Sequence, residues 1–289
     1  MGAGGLIRAA RGRASAARLA PWFALAALSA ATAAGALEAV PVPPASAVVL
    51  QWQPAPADGR RPAIVALHGC GGLYTSRGKL DSRYVEYAER WNAAGWHVLL
   101  PDSFSARGRQ SICREPGPRR SITVAMRRSD VNAALEWLAQ RPDVDPQRIA
   151  LVGWSNGGST VLRTIDRPAW RLAPVAAVAF YPGCAASLGR DEWSTAVPLL
   201  MLVGERDDWT PPQPCADLAQ RTTERRRGAA VEFVSYPGSY HGFDSSGPVR
   251  WLAGIPSGVD ATGVHAGGNA DARTDALQRT DRFLRHFLD

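Results

Sequence analysis

The sequence predicts an α/β fold, in which helices cover both faces of a mostly parallel central sheet. Runs of strand length alternate with segments of helical spacing along the chain, and such alternation is typical of a parallel sheet. Several runs, such as residues 62–67, are apolar throughout, as expected of strands buried on both faces. Residues 37–289 contain no repeat and no change of composition, so we expect them to form a single α/β domain.

Each predicted element rests on a local pattern. Strand-length apolar runs lie at residues 47–52, 62–67, 96–100, 148–153, 175–181, 197–203 and 231–236. Helical spacing of apolar residues occurs around residues 84–91, at 124–138, directly after Gly158, and at 275–287. An Asp-Gly turn follows the first strand, Gly95 closes the first helix, and a polar, arginine-rich loop spans residues 103–120. Folds of this kind bind ligands beyond the carboxyl ends of their strands, so the loops there are the place to look for a site.

The first 36 residues have the features of an export signal. Four arginines between residues 8 and 18 precede an alanine-rich apolar run at residues 19–28, and Ala34-Gly35-Ala36 is a small-residue cleavage motif. An uncleaved membrane anchor is the alternative, but the run is short and consists largely of alanine. We therefore expect residues 1–36 to be removed and the mature protein to be exported, to the periplasm or the medium, without stable membrane insertion.

The formal net charge of +7 does not indicate a nucleic-acid partner. The signal segment carries four of the positive charges, because no acidic residue precedes Glu38. The other arginines are scattered, and the cluster Arg225-Arg226-Arg227 is typical of a solvated helix end. With 46% hydrophobic residues, the chain can instead build the sizeable core of a globular protein.

The most informative motif is Gly-Trp-Ser-Asn-Gly at residues 153–157, which lies between a predicted buried strand and a predicted helix. In that setting a G-x-S-x-G motif forms a sharp turn that exposes the serine as a nucleophile. The neighbouring glycines are needed because bulkier residues would not fit so tight a turn. A glycine-rich turn that merely contains a serine is the alternative, and Ser155 is the nucleophile that the sequence predicts.

A serine nucleophile needs a base and an acid that orients the base. Of the five histidines, His241 lies just past the last predicted strand, so its loop should emerge at the same sheet edge as Ser155. The acid should follow an intervening strand, where Glu205, Asp207 and Asp208 cluster. Asp207 is preferred over Asp208. The resulting chain order of serine, aspartate and histidine is the order found in α/β hydrolases.

An oxyanion hole needs backbone N–H donors at the point where negative charge develops. The residue after the nucleophile, Asn156, supplies one N–H. The turn His-Gly-Cys-Gly-Gly at residues 68–72 follows a central strand and should supply the other, from Cys70 or alternatively Gly71. We interpret His68 as a structural brace of that turn rather than as a second base.

With these motifs in place, the chain resembles the dienelactone hydrolase family of the α/β-hydrolase fold. Four motifs carry the likeness, which extends over residues 47–289: Gly-Trp-Ser-Asn-Gly-Gly at 153–158, Gly-Glu-Arg-Asp at 204–207 with Pro211, Tyr-His-Gly-Phe at 240–243, and Leu-Pro-Asp at 100–102. The resemblance implies a hydrolase of esters or lactones that needs no cofactor or metal. The founding members use a cysteine nucleophile, whereas this chain has Ser155 and a His-Gly-Cys-Gly-Gly turn like that of serine esterases and peptidases.

The resemblance also implies a substrate contact. Founding members bind a substrate carboxylate through arginine, one of them in the loop after the Pro-Asp strand end, and Arg107 is the matching candidate. A solvated loop arginine is the alternative. We also take Trp154, which precedes the nucleophile, as a candidate substrate-binding residue.

Four cysteines fit an oxidising compartment, and none has the C-x-x-C spacing of a zinc or thioredoxin site. Four cysteines allow three pairings. Because loops after neighbouring parallel strands meet at one sheet edge, we predict disulfides Cys70–Cys113 and Cys184–Cys215.

The expected function is that of an exported serine hydrolase that cleaves small carboxylic esters or lactones through an acyl-enzyme. A peptidase or acyl-peptidase of the same fold is the first alternative; such enzymes usually carry an extra domain that restricts access, and none is visible in this sequence. A non-catalytic binding protein is the second alternative, and the intact set of catalytic motifs argues against it.

Overall fold

A computed structural model describes residues 1–2, 37–40, 49–166, 173–226 and 228–289. Apart from its first two residues, the predicted signal peptide lies outside the described residues, and so do its cleavage site and Arg227. Among the residues that are described, no helix has both the length and the apolarity needed to cross a membrane.

An eight-stranded sheet and a separate two-stranded hairpin make up the β-structure of the described residues. The strands are β1 (Glu38–Val40), β2 (Val49–Gln53), β3 (Arg61–Leu67), β4 (His97–Asp102), β5 (Val144–Trp154), β6 (Ala176–Phe180), β7 (Leu199–Gly204), β8 (Val231–Tyr236), β9 (Arg250–Ala253) and β10 (Gly263–Ala266). The order in the large sheet is β1-β2-β4-β3-β5-β6-β7-β8. Strands β3 to β8 are parallel to one another, and β1 and β2 form an antiparallel edge. The fold class predicted from the sequence is confirmed.

Six helices connect the described strands and cover the sheet. They are α1 (Ser82–Ala93), α2 (Val124–Ala139), α3 (Asn156–Ile165), α4 (Ala185–Leu188), α5 (Gln213–Arg225) and α6 (Ala270–Leu288). Three of these helices begin with a side-chain cap. Asp81 accepts from the Arg83 amide before α1, Thr123 from the Met126 amide before α2, and Asn269 from the Ala272 amide before α6.

The core has two parts, one on each face of the sheet. Side chains of α2, α3 and α5 pack on one face, and α1 and α6 pack on the other. Strand β5 contributes to both because its side chains alternate: Leu151 joins the first cluster and Val152 the second. A strand buried on both sides reads as a continuous apolar run, which is the pattern of residues 149–152.

Some elements differ from the predicted ones. The hairpin of β9 and β10 falls in what the sequence suggests is a long loop, because the side chains of β9 are exposed and show no apolar alternation. Only the arginine-rich end of helix α5 was predicted from the sequence. The helix buries four residues, and two of them, Cys215 and Thr222, are not typical of an apolar helix face, so the sequence shows no clear helical period there. Strand β5 begins four residues before the predicted run, since Arg61 pairs with Val144.

The topology brings the candidate catalytic loops together. Strands β5, β6, β7 and β8 are parallel neighbours, so the segments that follow them emerge at one edge of the sheet. Ser155 directly follows β5, the acidic cluster follows β7, and His241 follows β8. Strand β3 lies next to β5 and delivers the His-Gly-Cys-Gly-Gly turn to the same edge.

Candidate active site

Ser155 occupies the tight turn between β5 and α3. Its backbone has φ 53° and ψ −115°, a conformation that costs a non-glycine residue about 1–3 kcal/mol. The flanking glycines are required by close approach. A Cβ on Gly153 would lie 2.4 Å from the carbonyl oxygen of Gly157, and a Cβ on Gly157 would lie 2.0 Å from that of Leu67. The turn is therefore shaped to hold a strained serine at the sheet edge.

The three predicted triad residues meet in space. His241 Nε2 lies 2.9 Å from Ser155 Oγ, and His241 Nδ1 lies 2.8 Å from Asp207 Oδ2. With the proton on Nδ1, the imidazole donates to the carboxylate and accepts from the serine hydroxyl. This is the arrangement by which a histidine takes a serine proton while an aspartate orients it.

The carboxylate of Asp207 is held from several sides. Its Oδ1 accepts from the backbone amides of Trp209 at 2.9 Å and Thr210 at 2.8 Å, and the Thr210 hydroxyl lies 3.0 Å from Oδ2. The His241 ring is packed between Trp209 and Tyr181, with centroid distances of 4.6 Å to each. Both groups are thus fixed before any substrate binds.

The neighbouring Asp208 has a different partner. Its Oδ2 lies 2.7 Å from His265 Nδ1, and its Oδ1 accepts from the His265 amide at 2.9 Å. Since His265 belongs to β10, Asp208 links the hairpin to the acid loop, which is the segment after β7 that carries Asp207 and Asp208. The structure therefore brings Asp207, and not Asp208, to His241.

The His-Gly-Cys-Gly-Gly turn lies beside the nucleophile. A Cβ on Gly69 would lie 3.6 Å from Ser155 Cβ. Among the described residues, the amides of Cys70 and Asn156 have no protein acceptor, so both remain available to an oxyanion. The carbonyl of Cys70 accepts from Ile112 at 2.9 Å, which fixes the orientation of the turn from behind.

A buried arginine connects the His-Gly-Cys-Gly-Gly turn with Asn156. The Arg127 guanidinium donates to the His68 carbonyl at 2.7 Å and to Asn156 Oδ1 at 2.6 Å. Burial lowers the pKa of Arg127 to about 10, so the group stays positive at neutral pH. Sequence reasoning missed this residue, because nothing in a helical pattern distinguishes an arginine that turns inward.

His68 braces the turn, as the sequence suggests. Its Nδ1 donates to the Gly69 carbonyl at 2.8 Å, and its Nε2 accepts from the Ser103 amide at 3.3 Å. Burial, helped by the charge of Arg127, lowers the pKa of His68 well below its ordinary value. The ring is therefore neutral and contacts backbone rather than Ser155.

The side chains of the two candidate substrate-binding residues, Arg107 and Trp154, have partners within the protein. Arg107 makes two hydrogen bonds to Asp130, at 2.8 and 2.7 Å, and a third to the Ser103 carbonyl, so its charge is paired and three of its five N–H donors are used. Trp154 is completely buried and donates from Nε1 to Asp244 at 2.9 Å. The alternation of β5 directs its side chain into the core under α1 and not towards the sheet edge.

A pocket of about 230 Å³ opens beside Ser155. Its lining includes Asn156, Trp209 and Pro214, and its one charged member among the described residues is Arg120. Arg120 donates to Ser257 at 3.3 Å, while its Nε is buried without a partner. Only the folding of the 103–123 loop brings Arg120 here, so no local motif could have indicated it.

Both predicted disulfides are present: Cys70–Cys113 and Cys184–Cys215. The first links the candidate oxyanion turn to the loop that carries Arg120. The second links the segment after β6 to α5. No group of residues suited to hold a metal ion occurs within the described ranges.

The sequence model of one family matches residues 48–288, and that family is described as the dienelactone hydrolase family. The chain belongs to the dienelactone hydrolase family. This confirms the resemblance inferred from the motifs, and it agrees with the order in which the triad residues occur.

A curated relative matches part of the chain. The quorum-quenching protein AidA of Acinetobacter baumannii (strain MDR-ZJ06) is 29% identical over 134 residues, which is 46% of this chain and 40% of that protein. The chain thus matches less than half the length of this relative.

Solved structures share the fold. A dienelactone hydrolase-like promiscuous phosphotriesterase from metagenomic libraries is 20% identical, with a TM-score of 0.63 over 88% of this chain and 100% of that one. A thermophilic esterase of the Planctomycetes species Thermogutta terrifontis, with propionate bound, is also 20% identical, with a TM-score of 0.61 over 89% and 97%. At such identities the likeness concerns the fold of the family.

Proposed function

We propose that this protein is an exported serine hydrolase that cleaves small carboxylic esters or lactones through an acyl-enzyme intermediate. The observation that carries the proposal is the continuous contact from Asp207 through His241 to Ser155, at 2.8 and 2.9 Å, on a strained turn. Family membership supports hydrolysis as the reaction class.

The proposed reaction has two stages. His241 takes the proton of Ser155 as its oxygen attacks the acyl carbon, and the amides of Cys70 and Asn156 stabilise the oxyanion. His241 then gives the proton to the leaving alcohol, which departs and leaves an acyl-serine. His241 then takes a proton from a water molecule as the water oxygen attacks the acyl-serine, and it returns that proton to the Ser155 oxygen when the bond to the acyl group breaks and the acid is released.

The pocket supports a small substrate and a charge preference. A volume of about 230 Å³ accommodates a short acyl or alcohol group better than a folded polypeptide. Arg120 takes the place that the sequence suggested for Arg107, because it lines the pocket together with Ser155 and its buried Nε has no hydrogen-bond partner among the described residues. We therefore propose that esters bearing a carboxylate bind better than neutral ones of the same size.

Export is part of the proposal. The two disulfides are compatible with an oxidising compartment, and the sequence of residues 1–36 has the pattern of a signal. Mass spectrometry of the protein secreted or released from the periplasm should find a mature N-terminus after Ala36. Recovery of the uncleaved chain in the cytoplasm with free thiols would refute this part.

The decisive experiment combines kinetics with covalent labelling. With a short-chain nitrophenyl ester we expect a burst of chromophore, and Ser155→Ala or His241→Ala should lower kcat by about 10⁴-fold or more while the fold survives. Thermogutta terrifontis esterase 2 has been solved phosphorylated by paraoxon, so paraoxon is a suitable probe here. Mass spectrometry should find one added phosphoryl group on Ser155, and wild-type activity in Ser155→Ala would refute the mechanism.

A further inference from the structure

A buried carboxylate lies three residues after His241 and takes no part in the proposed triad. The side chain of Asp244 is fully buried. Its Oδ1 accepts from the Tyr181 hydroxyl at 2.7 Å, and its Oδ2 accepts from Trp154 Nε1 at 2.9 Å and from the Tyr87 hydroxyl at 3.2 Å. Asp244 therefore receives hydrogen bonds from three different parts of the fold.

Such a group needs an explanation. A carboxylate removed from water is costly unless hydrogen bonds and a cation compensate. The cation is Arg83, whose Nε lies 3.7 Å from Asp244 Oδ2 and whose side chain is partly exposed. Burial, together with the Asp244 charge, raises the pKa of Tyr87 and of Tyr181 well above the ordinary value, so both hydroxyls remain donors.

The donors connect Asp244 with each member of the triad. Trp154 is the residue before Ser155. Tyr181 packs on the His241 ring at 4.6 Å, and its carbonyl accepts from the Thr210 hydroxyl at 3.0 Å. That hydroxyl lies 3.0 Å from Asp207 Oδ2. Asp244 itself belongs to the loop that carries His241.

Tyr181 has an unusual backbone conformation. It has φ 36°, a value that is rare for a residue with a side chain and persists only where the surroundings impose it. Its amide donates to the Leu202 carbonyl at 2.7 Å, and its hydroxyl donates to Asp244. The second of these bonds holds the ring against His241.

We propose that Asp244 is a positioning residue that, through Tyr181, holds the His241 imidazole in line with Ser155. The inference rests on the proposed function only for its kinetic readout. Loss of the Asp244–Tyr181 bond frees the ring that packs on His241, and a small misplacement of a catalytic group lowers the rate of the chemical step by about 10- to 100-fold.

The test compares Tyr181→Phe and Asp244→Asn with a matched control. The control is Tyr236→Phe, because Tyr236 also donates to a carboxylate, Asp275, at 3.0 Å. All three variants lose a hydrogen bond to a carboxylate, and we expect each to lower Tm. Only Tyr181→Phe and Asp244→Asn should lower kcat for a nitrophenyl ester, by about 10-fold or more, with KM within about twofold.

A second readout does not depend on turnover. The proton between His241 Nδ1 and Asp207 should give a low-field ¹H resonance in the wild type and in Tyr236→Phe, and a broadened or shifted one in Tyr181→Phe. Equal kcat and an unchanged resonance in Tyr181→Phe and Asp244→Asn would overturn the inference. A wild-type protein without Ser155-dependent hydrolysis would overturn the proposed function instead, and the resonance would still decide the role of Asp244.

Discussion

At the scale of single residues, two adjacent carboxylates of the acid loop have separate partners. Asp207 lies 2.8 Å from His241, and Asp208 lies 2.7 Å from His265. Both pairs have the short contact of a charge-assisted hydrogen bond. Only one of them continues to a serine, so a contact between aspartate and histidine does not by itself identify the acid.

The two carboxylates should therefore respond differently to loss of charge. Asp207→Asn should lower kcat by about 10³- to 10⁴-fold, because the amide favours the wrong imidazole tautomer. Asp208→Asn should keep kcat within about tenfold and act mainly on Tm, since it loosens the hairpin. Steady-state kinetics and thermal melts of both variants check this, and a larger kcat loss in Asp208→Asn would assign the acid to that position.

Arg120 and Arg107 should differ in their effect on substrate charge. Arg120→Ala should raise KM for an anionic ester, such as a nitrophenyl hemisuccinate, about 10- to 100-fold and leave a neutral ester of the same length nearly unchanged. Arg107→Ala should lower Tm, because Asp130 loses its partner, without changing the ratio of the two KM values. Equal effects of Arg120→Ala on both esters would remove the proposed charge preference.

At the scale of elements, the loop of residues 103–123 is held in place by a disulfide, a small apolar cluster and hydrogen bonds. Cys113 is linked to Cys70, and Ile112 and Ile122 form a small cluster with Phe104. Arg114 donates to carbonyls of Ala253 and Gly254. The loop thus couples the candidate oxyanion turn to the hairpin region and positions Arg120 in the pocket.

Each disulfide closes a long loop, of 43 and 31 residues, so replacing either pair by serine should lower the free energy of unfolding by about 4 kcal/mol. The Cys70→Ser/Cys113→Ser variant should also lower kcat more than Cys184→Ser/Cys215→Ser does, because it frees the amide of residue 70. Chemical denaturation and single-turnover kinetics separate the two effects. An equal kcat in both double variants would mean that the first disulfide does not hold the oxyanion turn.

At the scale of the whole molecule, stability should depend on two buried histidines that are not members of the triad. Burial lowers the pKa of His68 and of His97. His97 accepts from the Ala55 amide at its Nδ1 and donates from Nε2 to the Asp143 carbonyl. Protonation of either ring would remove an acceptor inside the fold.

The unfolded chain binds protons at these two histidines more readily than the folded one. The contribution of the neutral rings to the free energy of unfolding is therefore fully present above the ordinary histidine pKa of about 6.5. We expect the free energy of unfolding to fall as the pH drops below that value. Denaturation by urea at pH 7.5 and at pH 5 should show the loss, and His97→Asn should flatten the curve. A pH-independent stability across this range would contradict the prediction.

The sequence alone determined the fold class, most helices and strands of the core, and the triad candidates. It could do so because buried parallel strands appear as continuous apolar runs, and because the strained turn at Ser155 requires glycines at fixed positions. It also allowed the disulfide pairing to be inferred from the order of neighbouring strands. The hairpin and most of α5 were not predicted, since neither buries enough apolar surface to produce a periodic pattern in the sequence.

Only the tertiary structure decided which polar side chains reach the site. Arg107 is neutralised by Asp130, Arg120 enters the pocket in its place, and Trp154 turns inward to Asp244, although nothing local separates these outcomes. The physical reason is that a strand or helix period reports where apolar surface is buried, whereas the partner of a charged or hydrogen-bonding group depends on segments that are distant in sequence. His241 contacts Asp207 rather than Asp208 because of how the loops after β5, β7 and β8 meet at one edge of the sheet.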